Sequence, residues 1–304
     1  MKPVAYEVVD VSTTTPFGGN PLAVIPDARG LQAPLMQRIA AEFGYSETAF
    51  VFPAEDTRHT ATVRIFTPVV EVLFAGHPNV GTGFVLARGQ TVFGQAVGDE
   101  MWFEEQAGLV RVSVLRRGGT VCGASISAPR PLEIGQPVPL QLVAACASLS
   151  PEDIATEQHP PLVLSVGLPF AFAELASRAA LARARSRRDR FEEAEGAFPL
   201  PGGFALFLYV PVLGTTPRYS ARMFAPLDNV AEDPATGSAA AALAAYLVAR
   251  LPESNAEVDL VIEQGVDMGR PSLLNLHVRK LEGVVRSVTV GGDCVLVMRG
   301  ELSL

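Results

Sequence analysis

The sequence predicts an α+β protein of two similar halves, each a curved, mostly antiparallel sheet wrapped around a central helix. One observation is the segment 231–249, AEDPATGSAAAALAAYLVA, in which a polar, glycine-bearing loop leads directly into a run of small apolar residues. A helix so rich in alanine has little bulk of its own and suits only a tightly surrounded position inside a sheet. The second observation is that this loop and helix start occur twice in the chain. The fold is therefore predicted around two buried helices, one in each half.

Three short segments of the first half recur in the same order in the second half. The matched pairs are 75–82 with 231–238, 64–68 with 222–226, and 19–24 with 167–172. The first pair aligns its Ala, Pro and Gly positions at a constant offset of 156 residues. Such an ordered set is typical of an internal duplication. We expect the two halves to pack about a pseudo-twofold axis, with the two helix N-termini facing one cleft.

Length and composition agree with two globular domains. The 304 residues are 48% hydrophobic, which is ordinary for a chain that forms sizeable cores. The loop-rich sequence after the 91–117 hairpin places the domain boundary near Gly118. This gives an N-terminal half of residues 1–118, completed by a strand at about 290–304, and a C-terminal half of residues 119–289.

Charge and cysteine content exclude several classes of protein. The net charge of −8 argues against a protein that binds nucleic-acid backbones. The longest apolar run is too short to cross a bilayer, and the N-terminal residues lack the apolar stretch of a signal sequence. Three cysteines without a CxxC spacing indicate neither a disulfide framework nor a zinc site. We therefore expect a cytoplasmic protein without nucleic-acid or membrane partners.

Alternating, β-branched segments predict the strands of the first half. The predicted strands are 4–11, 22–25, 45–52, 60–66, 69–74 and a hairpin within 91–117 that turns at 106–108. The segment 33–43 differs because its apolar residues have helical spacing and stop at Gly44, which predicts a helix.

The second half is predicted by the same criteria. Residues 140–157 have helical character, with a second short helix that opens at 150–153. Residues 175–195 are a charged stretch with six arginines offset by acidic residues. Because no aromatic residues are interleaved with those arginines, an exposed helix is favoured over a nucleic-acid-binding arm. The predicted strands are a pair within 160–174, then 204–210, 219–224, 258–263, 273–278, 284–290 and 293–299.

Asp233 and Pro234 stand where the alanine-rich helix is expected to begin. Aspartate followed by proline is typical of an N-cap and the first helical position. A buried helix needs its first N–H groups satisfied, and an anionic ligand can satisfy them. Both helix starts are therefore candidate sites for a small anionic substrate.

Glu47 is a carboxylate in an otherwise apolar strand. It alternates with Tyr45, Ala49 and Val51, so it shares a face with apolar neighbours. Burial there would raise its pKa toward the range useful for proton transfer. A solvated charge on an edge strand is the other interpretation, and the pattern leaves both open.

For His77 and Asn20 the sequence is compatible with a purely structural role as well as with a role in a functional site. A histidine at a helix start is often a cap or packing residue, and a helix N-terminus tends to keep it neutral. His77 nevertheless corresponds in the repeat to Asp233, and two different titratable groups at matching helix starts favour a site. Asn20, between glycine and proline, is compatible with a turn.

Together these motifs resemble the PhzF family of phenazine biosynthesis-like proteins. The motifs are GNPLAV at 19–24, SETAF at 46–50, GHP at 76–78, EDPATGS at 232–238 and QG at 264–265. The resemblance spans nearly the whole chain. It implies a diaminopimelate epimerase-like fold, a homodimer and cofactor-independent isomerisation, with the active site between two pseudo-symmetric halves.

The resemblance also implies roles for individual residues. Glu47 of the SETAF motif would be the acid and base, assisted by His77 and Asp233. The residues that would bind the substrate and its carboxylate are Asn20, Ser46, Gly76, Gly237 and Ser238. Moving a proton next to an unsaturated or carbonyl system needs such a carboxylate and donors for the substrate's anion, and requires no metal or other cofactor.

Two alternatives stay open beside an isomerase of small cyclic or unsaturated carboxylates. Racemases and epimerases of the related fold use a pair of cysteines, but neither helix start carries a cysteine here. A non-catalytic protein could instead use the cleft, or the arginine-rich segment 175–195, to hold a small molecule or a protein partner. The retained Glu47, His77 and Asp233 argue for the isomerase.

Overall fold

A computed structural model describes residues 3–304 as a mixed α+β protein made mostly of strands. Met1 and Lys2, which belong to the N-terminal stretch considered above, lie outside the described residues. The chain divides into two compact units: unit 1 is Met1–Ser127 with Gly291–Leu304, and unit 2 is Ala128–Val290. No helix in the part of the chain that the structure describes has the length and apolarity needed to span a membrane.

Unit 1 is a ring of paired strands. Its strands are β1 (Val4–Val11), β2 (Asn20–Ile25), β3 (Glu47–Phe52), β4 (Ala61–Phe66), β5 (Glu71–Val72), β6 (Thr91–Val92), β7 (Gln95–Ala96), β8 (Glu100–Glu105), β9 (Gly108–Arg117), β10 (Thr120–Ser127) and the later part of β19 (Val284–Leu302). β1 pairs with β19 and β2, and β2 runs parallel to β3. β3 is antiparallel to β4, β4 is parallel to β8, and β8, β9 and β10 form antiparallel neighbours. Since β10 also pairs with β19, the pairings return to their start.

The helix α2 (Gly76–Gly89) is wrapped by this ring, while α1 (Ala33–Phe43) packs outside the α2 core. α2 contacts β1, β2, β9 and β10, and every residue from 77 to 87 is buried. Its small residues permit this. A Cβ added at Gly81 would lie 2.5 Å from Leu22 Cδ2, and one at Gly83 would lie 2.6 Å from Val112 Cγ1. The backbone of α2 therefore approaches the sheet as closely as glycine allows.

Unit 2 repeats much of this pairing pattern. Its strands are β11 (Glu133–Pro137), β12 (Leu162–Ser165), β13 (Pro169–Glu174), β14 (Leu206–Val212), β15 (Arg218–Ala225), β16 (Val230–Asp233), β17 (Ala256–Gln264) and β18 (Ser272–Leu281). Its helices are α3 (Leu140–Ala147), α4 (Arg178–Arg183), α5 (Arg188–Ala197) and α6 (Gly237–Ala249). From β13 to β18 the sheet runs parallel, antiparallel, parallel, antiparallel, as it does from β2 to β9.

The alanine-rich helix α6 is buried as expected. Residues 239–246 are all buried, and the helix packs against β12, β17 and β18. A helix of alanines among strands of leucine, isoleucine and valine removes apolar surface from water without needing space for long side chains. The core of unit 2 is therefore built around the segment that the sequence singles out.

Several boundaries differ from the sequence-based prediction. The predicted helix 33–43 is confirmed, whereas α6 begins at Gly237 with Thr236 as its N-cap, so the prediction of Asp233 as N-cap was wrong. Asp233 instead ends β16 opposite Met223 of β15. Of the predicted strand 69–74, only residues 71–72 pair with another strand. The preceding residues form a turn, because Thr67 Oγ1 accepts the N–H groups of Val69 and Val70.

Longer predicted elements were divided or joined. In the predicted helical region 140–157, the first helix ends at Ala147, since Ser148 has a positive φ. The second short helix predicted to open at Ser150 is confirmed as a 3-10 helix at Pro151–Asp153. The charged stretch 175–195 forms α4 and α5 instead of one exposed helix, with Leu181 and Phe191 buried. The two predicted strands of 284–299 are one strand, β19, that passes through Gly291 without interruption. The segment after Gly118 is β10, which pairs with β9 in unit 1.

Candidate active site

Glu47 is the first residue of a central strand. β3 is paired on one side with β2, where Glu47 lies opposite Leu22, and on the other side with β4. The interpretation as a charge on an edge strand was therefore wrong. The side chain of Glu47 is only 19% exposed, and the next residues of β3 are fully buried. A carboxylate held at the mouth of an apolar core can still reach solvent or a small ligand.

His77 lies in the first turn of α2 and faces Glu47. Its Nε2 atom is 3.6 Å from Glu47 Oε2 and makes no hydrogen bond to any described residue. Burial lowers the pKa of His77 to about 3, far below its ordinary value of 6.5. The imidazole is therefore neutral at physiological pH and carries a single N–H.

Asn20 determines which nitrogen of His77 carries that proton. The Asn20 Nδ2 amide lies 3.3 Å from His77 Nδ1, and Asn20 Oδ1 accepts the hydroxyl of Ser46 at 3.1 Å. Because an amide NH₂ can only donate, Nδ1 of His77 must be the acceptor, which leaves the proton on Nε2. The Nε2–H group then points toward Glu47.

The backbone around Asn20 is adapted to this contact. Asn20 is completely buried at the start of β2, where it pairs with Val11 of β1. The preceding Gly19 has φ of +62°, and a Cβ there would lie 2.3 Å from the carbonyl oxygen of Val11. Only glycine can occupy that position, and it allows the chain to enter β2 with Asn20 directed at His77.

A second cluster surrounds Asp233 in unit 2. Asp233 Oδ2 accepts the hydroxyl of Thr236 at 2.5 Å. Gln264, at the end of β17, donates from Nε2 to the Asp233 carbonyl at 2.7 Å and to Thr236 Oγ1 at 3.0 Å. Its Oε1 accepts the Thr236 N–H at 3.2 Å. These contacts fix the loop that leads into Gly237 and Ser238, the first two residues of α6.

Two arginine–glutamate pairs support the loops that precede the helices. Arg64 of β4 binds Glu71 through two nitrogens at 2.6 and 2.7 Å, and Arg222 of β15 binds Glu232 at 2.6 and 2.8 Å. Arg222 also donates to the carbonyl oxygens of Leu181 and Ala184 at the C-terminal end of α4. Such two-point pairs hold a planar geometry that a lysine could not reproduce.

The structure therefore brings together four of the predicted site residues in unit 1. They are Asn20, Ser46, Glu47 and His77, with Gly76 as the first residue of α2. In unit 2 it groups Asp233 with the start of α6. Sequence reasoning missed Thr236 and Gln264 as parts of the site, and missed the salt bridges made by the repeated arginines. The repeat itself contained that signal, because Arg64 and Arg222 occupy matching positions.

The cysteines lie away from these clusters. Cys146 is on α3, Cys294 is on β19, and both are buried. Burial raises the pKa of the Cys146 thiol to about 12 and raises that of Cys294 further. Within residues 3–304, no group of three or more His, Cys, Asp or Glu side chains is arranged to hold a metal ion.

Comparisons with known proteins agree over the whole chain. Residues 9–300 match the family model described as phenazine biosynthesis-like protein, PhzC–PhzF. An uncharacterized isomerase of Mesorhizobium japonicum is 36% identical, with 98% of each chain covered. The trans-2,3-dihydro-3-hydroxyanthranilate isomerase of Pseudomonas chlororaphis is 34% identical, with 98% of this chain and 99% of that protein covered.

A solved structure shows the same fold. The PhzF-family phenazine biosynthesis protein of Bacillus anthracis superposes with a TM-score of 0.86, covering all of both chains, at 22% identity. The family model, the isomerase relatives and this fold agree with one another. The chain belongs to the PhzF family of phenazine biosynthesis-like proteins and is an isomerase.

Proposed function

We propose that this isomerase moves a proton within a small cyclic or unsaturated carboxylate, with Glu47 as both acid and base and without a cofactor. The observation that carries the proposal is the contact between Glu47 and a neutral His77 whose tautomer is set by Asn20. A carboxylate with little solvent and a fixed N–H donor beside it is suited to repeated proton transfer. The isomerase relatives support the reaction class.

The proton balance of this reaction is simple. The Glu47 carboxylate takes a proton from a carbon next to a double bond or carbonyl group, and the electron pair of that C–H bond delocalises into the unsaturated system. The Glu47 carboxylic acid then returns the proton to a different carbon of the same molecule. Nothing is oxidised or reduced, and the product differs from the substrate only in the positions of one hydrogen and of the double bonds.

His77 assists as a hydrogen-bond donor. With its pKa lowered to about 3 it does not give up a proton as an imidazolium in the neutral range. Its Nε2–H can instead stabilise the Glu47 carboxylate or the negative charge that develops on the substrate. A neutral imidazole is a better donor to a weakly acidic intermediate than an imidazolium would be. An imidazolium would transfer its own proton to the intermediate and hold it in a protonated form, whereas a neutral imidazole only donates a hydrogen bond.

The starts of α2 and α6 are the proposed anchors for the substrate's carboxylate. Backbone N–H groups in the first turn of a helix have no partner within the helix, and the helix dipole favours an anion there. We therefore assign Gly76, Gly237 and Ser238 to substrate binding. Asp233 is assigned to the same reaction because it corresponds to His77 in the repeat. Asn20 and Ser46 contribute through His77.

The internal duplication is part of the proposal. The sequence repeat, the matching order of parallel and antiparallel pairs, and the two arginine–glutamate pairs at corresponding strands support two pseudo-symmetric halves. The alternative of a two-cysteine racemase has no support in the described chain, because none of Cys122 on β10, Cys146 on α3 and Cys294 on β19 lies at the start of α2 or α6. The homodimer stays a prediction that sedimentation equilibrium would test.

Solvent deuterium incorporation tests the proposal. The substrate named for the Pseudomonas chlororaphis relative is the first compound to try, followed by other unsaturated cyclic carboxylates. Glu47→Gln should abolish deuterium incorporation into whichever compound the unchanged protein converts, and should leave its dissociation constant within a few-fold. Glu42→Gln, an exposed acid on α1, is the matched control and should keep full exchange. Undiminished exchange in the Glu47→Gln protein would remove Glu47 from the mechanism.

A further inference from the structure

Glu105, the last residue of β8, is a second unusual carboxyl group in unit 1. Both of its carboxyl oxygens are shielded from solvent, and neither accepts a hydrogen bond from the described residues. Burial raises the pKa of Glu105 to about 8 from its ordinary value of 4.5, and the neighbouring amide of Asn79 opposes that rise. The proposed reaction gives this residue no role.

Asn79 connects Glu105 to the helix start that carries His77. It lies in the first turn of α2, and its Nδ2 donates to the carbonyl of Ala75, the N-cap residue, at 3.0 Å. Its Oδ1 is buried and receives no hydrogen bond within the described chain. Asn79 neighbours Glu105, so three buried oxygens without a donor among the described residues belong to two adjoining side chains. An ionised Glu105 can only accept, whereas a protonated one has an O–H to give.

Unit 2 shows what occupies the corresponding position. Phe103 of β8 pairs with Ala61, three residues before Arg64, and Ile262 of β17 pairs with Tyr219, three residues before Arg222. Two residues further along each strand are Glu105 and Gln264, respectively. Gln264 both donates and accepts in holding the loop before α6. A neutral carboxylic acid has the same combination of one donor and one acceptor.

We propose that Glu105 is a protonated carboxylic acid at neutral pH, that its O–H donates to Asn79 Oδ1, and that it thereby positions the start of α2 that carries His77. Glu105 is a positioning residue, since it acts through Asn79 and Ala75. Its effect on catalysis rests on the proposed function of Glu47 and His77. Its protonation and its effect on α2 do not.

The charged groups on the surrounding elements are engaged elsewhere. Arg64 of β4 is paired with Glu71, and Arg111 of β9 is paired with Glu100.

The adjacent Glu104 is held by hydrogen bonds that lower its pKa to about 2. Its carboxylate accepts the N–H groups of Glu55 and Asp56 and contacts His59 and Thr62. On α2, His77 is neutral and Arg88 contacts Glu7. None of them is a cause of the shift at Glu105.

The direction of the pH effect follows from the raised pKa. The stabilisation that the proton on Glu105 gives is complete below about pH 4.5, declines as the pH rises above that value, and is lost once the pH has passed about 8. Glu105→Gln keeps a donor and an acceptor at every pH. The melting temperature of Glu105→Gln should therefore rise relative to that of the unchanged protein between about pH 5 and pH 8, and the two curves should run parallel above about pH 9.

Thermal unfolding from pH 6 to pH 10 and infrared spectroscopy test this in the full chain. We expect the unchanged protein at pH 7 to show the carbonyl stretch of a buried carboxylic acid that is absent from Glu105→Gln. Glu104→Gln is the matched control, because Glu104 is ionised throughout this range and its substitution should leave the shape of the curve unchanged. Parallel melting curves for the unchanged protein and Glu105→Gln, with no acid band, would show an ionised Glu105 held by the α2 dipole and overturn the proposal.

Activity provides a separate measurement. The rate of deuterium exchange should fall above pH 8 through kcat more than through KM, and Glu105→Gln should retain its rate to higher pH. If Glu47→Gln still exchanges while the melting and infrared results hold, the proposed reaction fails and the role of Glu105 stands. If the reaction holds and the melting curves are parallel, only the inference about Glu105 fails.

Discussion

Asn20 shows how a single neutral side chain controls the chemistry of the site. It is 57 residues from His77 in sequence, yet its amide is the only described group bonded to His77 Nδ1. By holding the proton on Nε2, it directs a donor at Glu47 without adding a charge. In the proposed reaction, Asn20 acts through His77 and not through contact with the substrate.

Asn20→Asp tests this control of the tautomer. A carboxylate at this position accepts instead of donating, so the proton of His77 should move to Nδ1 and leave Nε2 facing Glu47 as an acceptor. We expect kcat to fall by about 10²-fold or more, the scale of positioned acid–base assistance, with a smaller change in KM. Nitrogen NMR of the labelled imidazole would report the tautomer directly. If His77 still carries its proton on Nε2 in the Asn20→Asp protein, Asn20 does not set the tautomer of His77.

The pH response of His77 gives an independent check. Its lowered pKa of about 3 means that its ring resonances should stay constant from pH 8 to about pH 4.5. His277 is an internal control, because hydrogen bonds from its ring to Asp259 and Glu257 raise its pKa above 6.5. Proton NMR should therefore show His277 titrating while His77 does not. A His77 that titrates near pH 6.5 would show that it is not buried as described.

Individual residue roles were only partly predictable. Glu47 and His77 could be found because a charged residue in an apolar strand and a histidine at a repeated helix start are unusual in sequence. The contact between Asn20 and His77 could not be found, since it depends on how β2 and α2 meet. Glu105 was also missed. In the sequence it is one of two adjacent glutamates before a turn. Only the pleat of the strand places Glu104 against Asp56 and His59 and places Glu105 beside Asn79.

At the scale of the element, α2 depends on its glycines where it touches the sheet. Gly81→Ala should destabilise the protein by about 1–3 kcal/mol, because the added methyl would lie 2.5 Å from Leu22 and 2.9 Å from Val11. Gly89→Ala at the end of the same helix is the matched control. It has no neighbour within 4 Å and should be neutral or stabilising by up to about 1 kcal/mol.

Urea unfolding of both variants distinguishes this packing effect from a general effect of alanine on helix formation. If Gly81→Ala and Gly89→Ala change the midpoint equally, close packing of α2 against β2 is not what requires glycine. The m-value should stay constant in both, since neither variant changes the surface exposed on unfolding.

The elements themselves were largely predictable and their ends were not. The strand 4–11 and the helix 33–43 are confirmed because periodicity and a stop signal agree there. The helix start at 233 was wrong because Asp233 is bonded to Thr236, which itself precedes the helix. The sequence also did not indicate that 175–195 is divided into two helices, α4 and α5. Arg222 binds the carbonyl groups at the C-terminal end of α4, where the first helix stops, and it is about 40 residues away from them in sequence.

At the scale of the whole molecule, unit 1 is assembled from two distant parts of the chain. All eight residues of β1 pair with β19, from Val4 opposite Leu302 to Val11 opposite Cys294. Unit 2 is one continuous segment. The two units should therefore respond differently when they are excised.

A fragment of residues 128–290 should unfold cooperatively by itself, whereas residues 1–127 alone should not. Joining 1–127 to 291–304 through a short glycine–serine linker should restore cooperative folding, because Gly291 lies directly beside Ser125. Circular dichroism and thermal unfolding of the three fragments would check this. Cooperative unfolding of 1–127 without the added strand would show that β19 is dispensable for unit 1.

The pairing of β1 with β19 also sets an order of events during synthesis. A ribosome makes β1, Asn20, Glu47 and His77 early, but the partner strand of β1 emerges only after all of unit 2 has been made. Until then the nascent chain exposes a long unpaired strand edge rich in valine, the kind of surface that chaperones bind and that aggregates. Premature termination anywhere before residue 291 therefore yields a chain that carries Glu47 and His77 without the strand that completes the sheet of unit 1.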